Sequence, residues 1–435
     1  MTLKEHFRKN IVLAYPVVIG QLGHIMVNVA DSMMVGRVGV IPLAGATFAS
    51  TIYTTLMLFG LGVSYAITPL VAAEDKNNKS NLLGFLQNGF LMNLVLGTLL
   101  AITGFSASFF LDYFGQLPEV VAEAKGYLRI MSISIIPLMV FQTFRQYTEG
   151  MSDTMSPMIV SIVSNLLNIC LNWVFIFGHF GIKPMGLFGA GLATLIARIL
   201  MPGMIIFLTR ENCAGFKWHF QMTGIKQLLK IGLPSGLQFI FEVGAFAGAG
   251  IMIGWMGAEQ LAAHNIALNL SAISYMAATG FAAASTIRMG NQLGLKDKHN
   301  LRLAGFTSFI TATAFMALCA VLFIIYRDFL PTLYVDDPMV ISMAGTLLLV
   351  GAAFQISDGL QSVGLGVLRG LRDVRIPTLV TFTAFWVVSL PLGYFLGFNG
   401  GLGVNGVWIA LSIGLTIAAI LHIWRFNVLS KRLKF

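Results

Sequence analysis

Residues 35–46, VGRVGVIPLAGA, and residues 253–264, IGWMGAEQLAAH, carry one pattern that recurs 218 positions later in the chain. The matched pairs in and around these segments are Pro16 with Pro234, Gly36 with Gly254, Gly39 with Gly257, Leu43 with Leu261 and Gly62 with Gly280. Similarity at one fixed spacing is typical of a chain that repeats a structural unit. These segments therefore predict that the second half of the chain folds like the first.

Two later pairs of segments support the duplication. GMSDTMSP at 150–157 matches GLRDVRIP at 370–377, and GLFGAG at 186–191 matches GLGVNG at 401–406. Agreement at three separated places is hard to obtain by chance. We therefore predict an N-terminal lobe over residues 1–210, a connecting segment over 211–230 and a C-terminal lobe over 231–435.

The composition indicates an integral membrane protein. Of the 435 residues, 57% are hydrophobic and only 10% are charged, whereas a soluble domain has about 25% charged residues. A soluble enzyme is excluded because so few charges cannot cover a water-facing surface, and disorder is excluded by the apolar content. A bilayer-spanning helix needs about 20 apolar residues. Twelve runs meet this requirement, over residues 11–35, 43–72, 82–109, 124–147, 156–178, 187–209, 231–255, 261–287, 303–326, 339–367, 376–397 and 403–426.

We therefore predict an all-α integral membrane protein with twelve transmembrane helices in two pseudo-symmetric six-helix lobes, related by an axis along the membrane normal. With twelve spans both termini lie on one side, and 21 of the 27 Lys and Arg residues fall on that side. Basic residues concentrate in cytoplasmic loops, so we expect both termini in the cytoplasm. The same distribution explains the net charge of +9 without a nucleic-acid partner.

Three acidic residues lie inside predicted spans: Asp31, Glu242 and Asp358. Each buried carboxylate costs roughly 2.5–3.5 kcal/mol on insertion scales, which favours a functional role over helix packing. Glu242 and Asp358 are about 18 Å and 16 Å of helix from the flanking basic residues Lys230 and Arg369, so both are expected near the middle of the membrane. Arg198 is the one basic residue within a span, and the sequence alone does not assign its role.

Weaker polar signals accompany these acids. Asn165, Asn168 and Asn172 form a stripe on the fifth span, for which an interhelical hydrogen-bond ladder and a functional network both remain open. The Tyr275 side chain either packs or offers its hydroxyl to a cation. No HExxH, GxSxG, P-loop or cysteine–histidine metal pattern occurs, so we expect neither an enzyme nor a cofactor. Transport without a nucleotide site must draw on an ion gradient, which makes Na⁺ or H⁺ the expected coupling ion.

The chain resembles the multidrug and toxic compound extrusion (MATE) family, in its NorM-type bacterial branch. The stretches that carry the likeness are PVVIGQLGHIMVNVADSMMVGRVG in the first span, GLPSGLQFIFEVGAF in the seventh and FQISDGLQSVGLGVLRGLRD in the tenth. The resemblance implies a secondary transporter of the cell inner membrane. It would export cationic and amphipathic drugs or dyes in exchange for Na⁺ or H⁺ by alternating access between the lobes, and we expect a monomer.

The resemblance also implies roles for particular residues. Glu242 and Asp358 would be the carboxylates that hold the coupling cation, with Na⁺ as a candidate, and Tyr275 would be the neighbouring aromatic ligand. Asp31 would be the acid of the first lobe, close to Asn168 and Asn172. Asp336 and Asp337 match an acidic pair that faces cationic substrate near the outer mouth.

Two departures from the family pattern favour coupling through the second lobe. Phe354 stands where some relatives have Tyr, and Asn172 stands where other branches have Asp. Two alternative functions remain open, a lipid-linked precursor flippase of the same superfamily and an exporter of organic cations that are not drugs. A flippase generally lines its cavity with basic residues that hold phosphates, whereas the intraspan charges here are mainly acidic.

Overall fold

A computed structural model of the chain describes residues 2–433, and all regular structure in this range is helical. Helices satisfy every backbone hydrogen bond internally, as lipid requires. Twelve helical stretches are long and apolar enough to cross a membrane, which confirms the prediction from the sequence. We number these spans 1–12 in chain order: Leu3–Gly36, Val40–Ala72, Lys79–Phe114, Pro118–Gly150, Met155–Phe177, Gly186–Leu208, Met222–Gly254, Ala258–Gly294, Lys298–Tyr326, Pro338–Gly370, Arg375–Asn399 and Gly403–Arg432.

Some spans are composed of several helical segments. Span 2 divides into Val40–Ser64 and Ile67–Ala72, span 3 into Lys79–Ala107 and the 3₁₀ turn Ser108–Phe114, and span 4 into Pro118–Ile133 and Ile135–Gly150. Span 11 contains two stretches of π-helix, Thr383–Ser389 and Phe395–Asn399, each of which follows one of the α-helices Arg375–Phe382 and Leu390–Tyr394. Two short helices, Arg210–Cys213 and Leu330–Leu333, lie outside the spans.

The sequence repeat reappears as repeated backbone geometry. After span 4 the amide of Ser152 bonds the carbonyl of Glu149 at 2.8 Å, and after span 10 Arg372 bonds Arg369 at 2.8 Å. Ser152 and Arg372 both have positive φ, 71° and 62°, although few residues with side chains adopt this region. The same turn therefore ends the fourth helix of each half.

The described residues form two compact units, which we call the first-half unit and the second-half unit. The first-half unit is Ile19–Gly236, and the second-half unit is the chain up to Val18 together with the chain from Leu237 onward. These boundaries fall inside spans 1 and 7, whereas the lobes expected from the sequence divide between spans 6 and 7. The start of span 1 thus packs with the second half of the sequence, and the start of span 7 packs with the first half.

Close glycine contacts accompany this exchange. A β-carbon at Gly280 of span 8 would lie 2.5 Å from the side chain of Val18, and one at Gly236 of span 7 would lie 2.8 Å from that of Val63 in span 2. The repeat relates Val18 to Gly236 and Gly280 to Gly62, the chain neighbour of Val63, so the two contacts lie at corresponding places with the glycine on the opposite partner. Small residues let helix backbones approach closely inside a membrane.

A buried polar cluster, formed by His6, Asn10, Arg288 and Asn300, also fixes the start of span 1 in the second-half unit. Arg288 Nη2 lies 2.6 Å from His6 Nδ1, and its Nε donates to Asn10 Oδ1 at 3.2 Å. His6 Nε2 lies 3.0 Å from Asn300 Oδ1. Because arginine can only donate, His6 Nδ1 must accept, and Nε2 carries the proton. His6, Asn10 and Arg288 are each buried, and their mutual hydrogen bonds compensate the loss of water.

Candidate functional site

Two carboxyl groups lie together in the second-half unit. Glu242 is on span 7 and Asp358 is on span 10, and their side chains are 6% and 4% exposed. The two groups are near enough for the charge of Glu242 to act on Asp358. Their helices present them to one another because both residues lie in the middle of long spans, as their distances from the flanking basic residues predict.

Three further side chains surround the Glu242 carboxyl group. The Tyr275 hydroxyl of span 8 and the Gln361 amide of span 10 lie beside it, and the positive charge of Arg369 acts on it. The structure therefore brings Tyr275 to the carboxyl pair, as the resemblance implied. Sequence reasoning missed Gln361, although a residue three positions after Asp358 lies on the same face of a helix.

Several buried polar atoms of spans 8 and 10 have no partner of good hydrogen-bond geometry. They are Nε2 of Gln361, Nε2 of Gln355 and Oγ of Ser271. For Gln361 this means that its contact with Glu242 lies outside the distances and angles of a full hydrogen bond. Gln355 uses its oxygen, which accepts from Ser274 Oγ at 2.9 Å. The two amide nitrogens can only donate, so a water molecule can satisfy them and a cation cannot, whereas the Ser271 hydroxyl can also offer its oxygen to a cation.

The donor set suits a hard monovalent cation. Carboxylate, hydroxyl and amide oxygens can all coordinate such an ion in a transporter core. Within residues 2–433 no group of three or more His, Cys, Asp or Glu side chains is placed to hold a metal ion. By the chemistry of their oxygen atoms, the candidate ligands in the second-half unit are the carboxylates of Glu242 and Asp358 together with Tyr275 and Gln361.

Asp31 occupies a separate polar cluster in the first-half unit. Asn172 Nδ2 donates to Asp31 Oδ1 at 2.5 Å. We assign the Asn168 amide so that its nitrogen donates to Asp31 Oδ1 at 3.1 Å and its oxygen accepts from Thr194, because this orientation satisfies both atoms. Asp31, Asn168 and Asn172 are thus in contact, and the asparagine stripe of span 5 serves as a donor pair for a carboxyl group.

Asp336 and Asp337 are not part of either cluster. Both are exposed in the turn before span 10. The Asp337 carboxylate caps that helix, since its Oδ1 accepts from the amides of Met339 at 2.8 Å and Val340 at 3.3 Å. About 30 Å of helix separates Asp337 from Asp358. Any role of this pair in binding substrate is therefore distinct from that of the buried carboxyl groups.

Comparison with known proteins identifies the family. The MatE family model matches residues 16–174 and 234–395, two segments whose starts are separated by the repeat spacing. The chain is 33% identical to the multidrug resistance protein NorM of Photobacterium profundum, over 98% of this chain and 96% of the relative. It is 32% identical to the multidrug resistance protein MdtK of Photorhabdus laumondii, over 99% of this chain and 97% of the relative.

Solved structures agree on the fold. A multidrug resistance MATE family transporter in an outward-facing conformation superposes with a TM-score of 0.90 at 20% identity, over 99% of this chain and 97% of that one. A eukaryotic MATE transporter superposes with a TM-score of 0.87 at 18% identity, over 99% and 97% of the two chains. On the family match and the near full-length relatives, this chain belongs to the MatE family, in the NorM-type branch of the multidrug and toxic compound extrusion proteins.

Proposed function

We propose that the chain is a secondary active multidrug exporter, which expels cationic and amphipathic compounds by antiport with Na⁺ or H⁺ through alternating access of its lobes. The observation that carries this proposal is the buried pair Glu242–Asp358 with Tyr275 and Gln361 around it. Relatives that match almost the whole chain are named multidrug resistance proteins. Their names and the carboxyl pair point to the same activity.

The carboxyl pair explains how an ion could drive export. Two like charges close together in a low-dielectric site cannot both stay ionised at low cost, and a bound cation or a shared proton relieves their repulsion. A ligand shifts a conformational equilibrium only if it binds one state better than the other. Cation binding at Glu242 and Asp358 therefore favours the conformation that has released the drug, and cation release on the other side restores the drug-binding conformation.

The proposal also covers orientation, location and partners. We place both termini in the cytoplasm, because basic residues concentrate on that side of the predicted spans. On the resemblance to the NorM-type branch, we propose a monomer in the cell inner membrane. It catalyses no covalent reaction and uses no cofactor apart from the coupling ion. Its partners are small cationic drugs or dyes, the coupling ion and the lipid bilayer.

Efflux from proteoliposomes tests the proposal. Dye export is measured under an imposed Na⁺ gradient and, separately, under an imposed pH gradient. We expect Glu242→Gln and Asp358→Asn each to abolish gradient-driven export, while Glu259→Gln, at the exposed start of span 8, keeps it. Gel filtration and thermal melting establish that the variants fold. Export that continues unchanged in both carboxyl variants would reduce these acids to packing groups and refute the mechanism.

A further inference from the structure

Trp386 of span 11 is hydrogen-bonded to the backbone of span 7 next to Glu242. Its indole Nε1 donates to the carbonyl oxygen of Phe241 at 2.9 Å, and Phe241 directly precedes Glu242 in the chain. In an α-helix a carbonyl also accepts from the amide four residues on, which is here the amide of Ala245. The indole therefore holds the turn of span 7 that carries one carboxyl group of the candidate site.

Two glycines of span 7 face span 11 at this contact. A β-carbon at Gly244 would lie 3.0 Å from the Trp386 ring, and one at Gly248 would lie 3.3 Å from the side chain of Leu390. Small residues let helices approach closely inside a membrane. The glycines thus give the indole room to reach the backbone of span 7, and a side chain at position 244 would press against the ring.

The π-helix Thr383–Ser389 of span 11 presents Trp386 to span 7. A π-helix closes i→i+5 hydrogen bonds, and its wider turn brings residues four apart closer to one line than the turn of an α-helix does. Phe382, Trp386 and Leu390 therefore share the face towards span 7, where the ring centroid of Phe382 lies 4.9 Å from that of Phe241. Stretches of π-helix are rare and are frequently found at functional sites.

We infer that Trp386 is a positioning residue of the coupling-ion site, which fixes through the Phe241 carbonyl where span 7 holds the Glu242 carboxyl group. This inference deepens the proposed function and rests on it for the role of that carboxyl group. It accounts for the π-helix of span 11, which has no acidic residue of its own yet packs against the helix that carries Glu242. Groups that orient the ligands of an ion affect its affinity, so loss of the indole contact weakens ion binding while the drug contacts stay in place.

Hydrogen–deuterium exchange tests the hold on span 7 without transport. Trp386→Phe keeps an aromatic ring and removes the indole N–H. Exchange of the detergent-solubilised protein, followed by mass spectrometry, reports on the amides of residues 241–248. We expect these amides to exchange about fivefold faster, the equivalent of one net hydrogen bond. The matched control is Trp424→Phe, the same change at an exposed tryptophan of span 12, and it should leave their exchange unchanged.

Transport measurements then separate binding of the ion from binding of the drug. Export from proteoliposomes is recorded against the concentration of the driving ion and, separately, against that of the drug. We expect Trp386→Phe to raise the half-saturating concentration of the driving ion about fivefold, with the drug KM and the rate at saturating ion unchanged. A purely structural defect would instead lower the rate at every ion concentration, because it reduces the amount of folded protein.

Two results would overturn the inference. One is unchanged exchange of residues 241–248 in Trp386→Phe, and the other is faster exchange with an unchanged dependence on the driving ion. If Trp386→Phe does not fold, Gly244→Ala decides, because its β-carbon displaces the indole and should cause the same two changes. Export by the parent protein without any ion gradient would refute the proposed function instead, and exchange would still decide whether Trp386 holds the Glu242 turn.

Discussion

Val18 of span 1 leaves no room for a β-carbon at Gly280 of span 8. A β-carbon at position 280 would lie 2.9 Å from the Val18 nitrogen as well as 2.5 Å from its side chain. Span 8 therefore approaches span 1 at a point where only glycine fits. Val18 is the last residue of the part of span 1 that packs with the second-half unit.

Gly280→Ala should destabilise the protein, because backbone atoms cannot move aside as a flexible side chain could. Overpacking of a tight contact typically costs about 1–3 kcal/mol. Thermal melting of the detergent-solubilised protein measures the loss. The matched control is Gly84→Ala, a helical glycine of span 3 with open space around its α-carbon, and it should melt at least as high as the parent. Equal melting of both variants would contradict the contact.

The polar cluster around Arg288 gives a second prediction. His6→Ala removes the partner of Arg288 Nη2 and of Asn300 Oδ1, whereas Arg288 Nε keeps Asn10 and Asn300 Nδ2 keeps Asp297. A buried polar group that loses its partner costs about 1–3 kcal/mol. His6→Gln should be much milder, since a glutamine oxygen can accept from Arg288 while its nitrogen donates to Asn300. Melting temperatures of the two variants give the comparison. Similar losses for alanine and glutamine would show that the ring only fills space.

The exposed acidic pair before span 10 allows charge and capping to be separated. Asparagine caps a helix as well as aspartate does, so Asp336→Asn combined with Asp337→Asn removes charge and keeps the cap. We expect this double variant to export cationic dyes more weakly than the parent and to export neutral compounds normally. Asp337→Ala should instead lower stability by about 1 kcal/mol. Equal changes for charged and neutral substrates would identify these residues as ordinary solvated acids.

Topology can be checked by cysteine labelling on whole cells. In a background with Cys170, Cys213 and Cys319 replaced by serine, a probe that does not cross membranes should label Lys183→Cys from outside. The same probe should label Lys217→Cys only after the cells are broken, because residue 217 belongs to the basic connector between the halves. External labelling at residue 217 would reverse the proposed orientation.

The number and position of the spans could be predicted from the sequence because membrane thickness imposes a length on every apolar run. Departures from regular α-helix within a span could not be predicted in this way. Span 11 reads as one apolar run, yet it contains two stretches of π-helix, one of them with Ser389 Oγ bonded to the carbonyl of Ala384 at 2.9 Å. That geometry depends on close packing against Gly414 of span 12, which no local pattern records.

The three acids inside the spans could also be predicted from the sequence. A carboxyl group inside an apolar run is conspicuous, so Asp31, Glu242 and Asp358 could be singled out one by one. Their partners lie on other helices and depend on tertiary packing. The same holds for Arg198, which donates to Tyr53 and Ser134, both far away in the chain. In the sequence His6 and Arg288 are two of many basic residues near span ends, and only the structure shows that they are in contact.

Because the start of span 1 packs in the second-half unit, the first span cannot complete its contacts until much later in synthesis. Val18 and the residues before it leave the ribosome early, and the surface they cover on spans 8 and 9 is synthesised more than 260 residues later. At about 5–20 residues per second, this interval is on the order of tens of seconds. During that time the buried face of His6 and Asn10 has no partner, so the nascent chain must be sheltered by lipid, the insertion machinery or a chaperone until the eighth and ninth spans arrive.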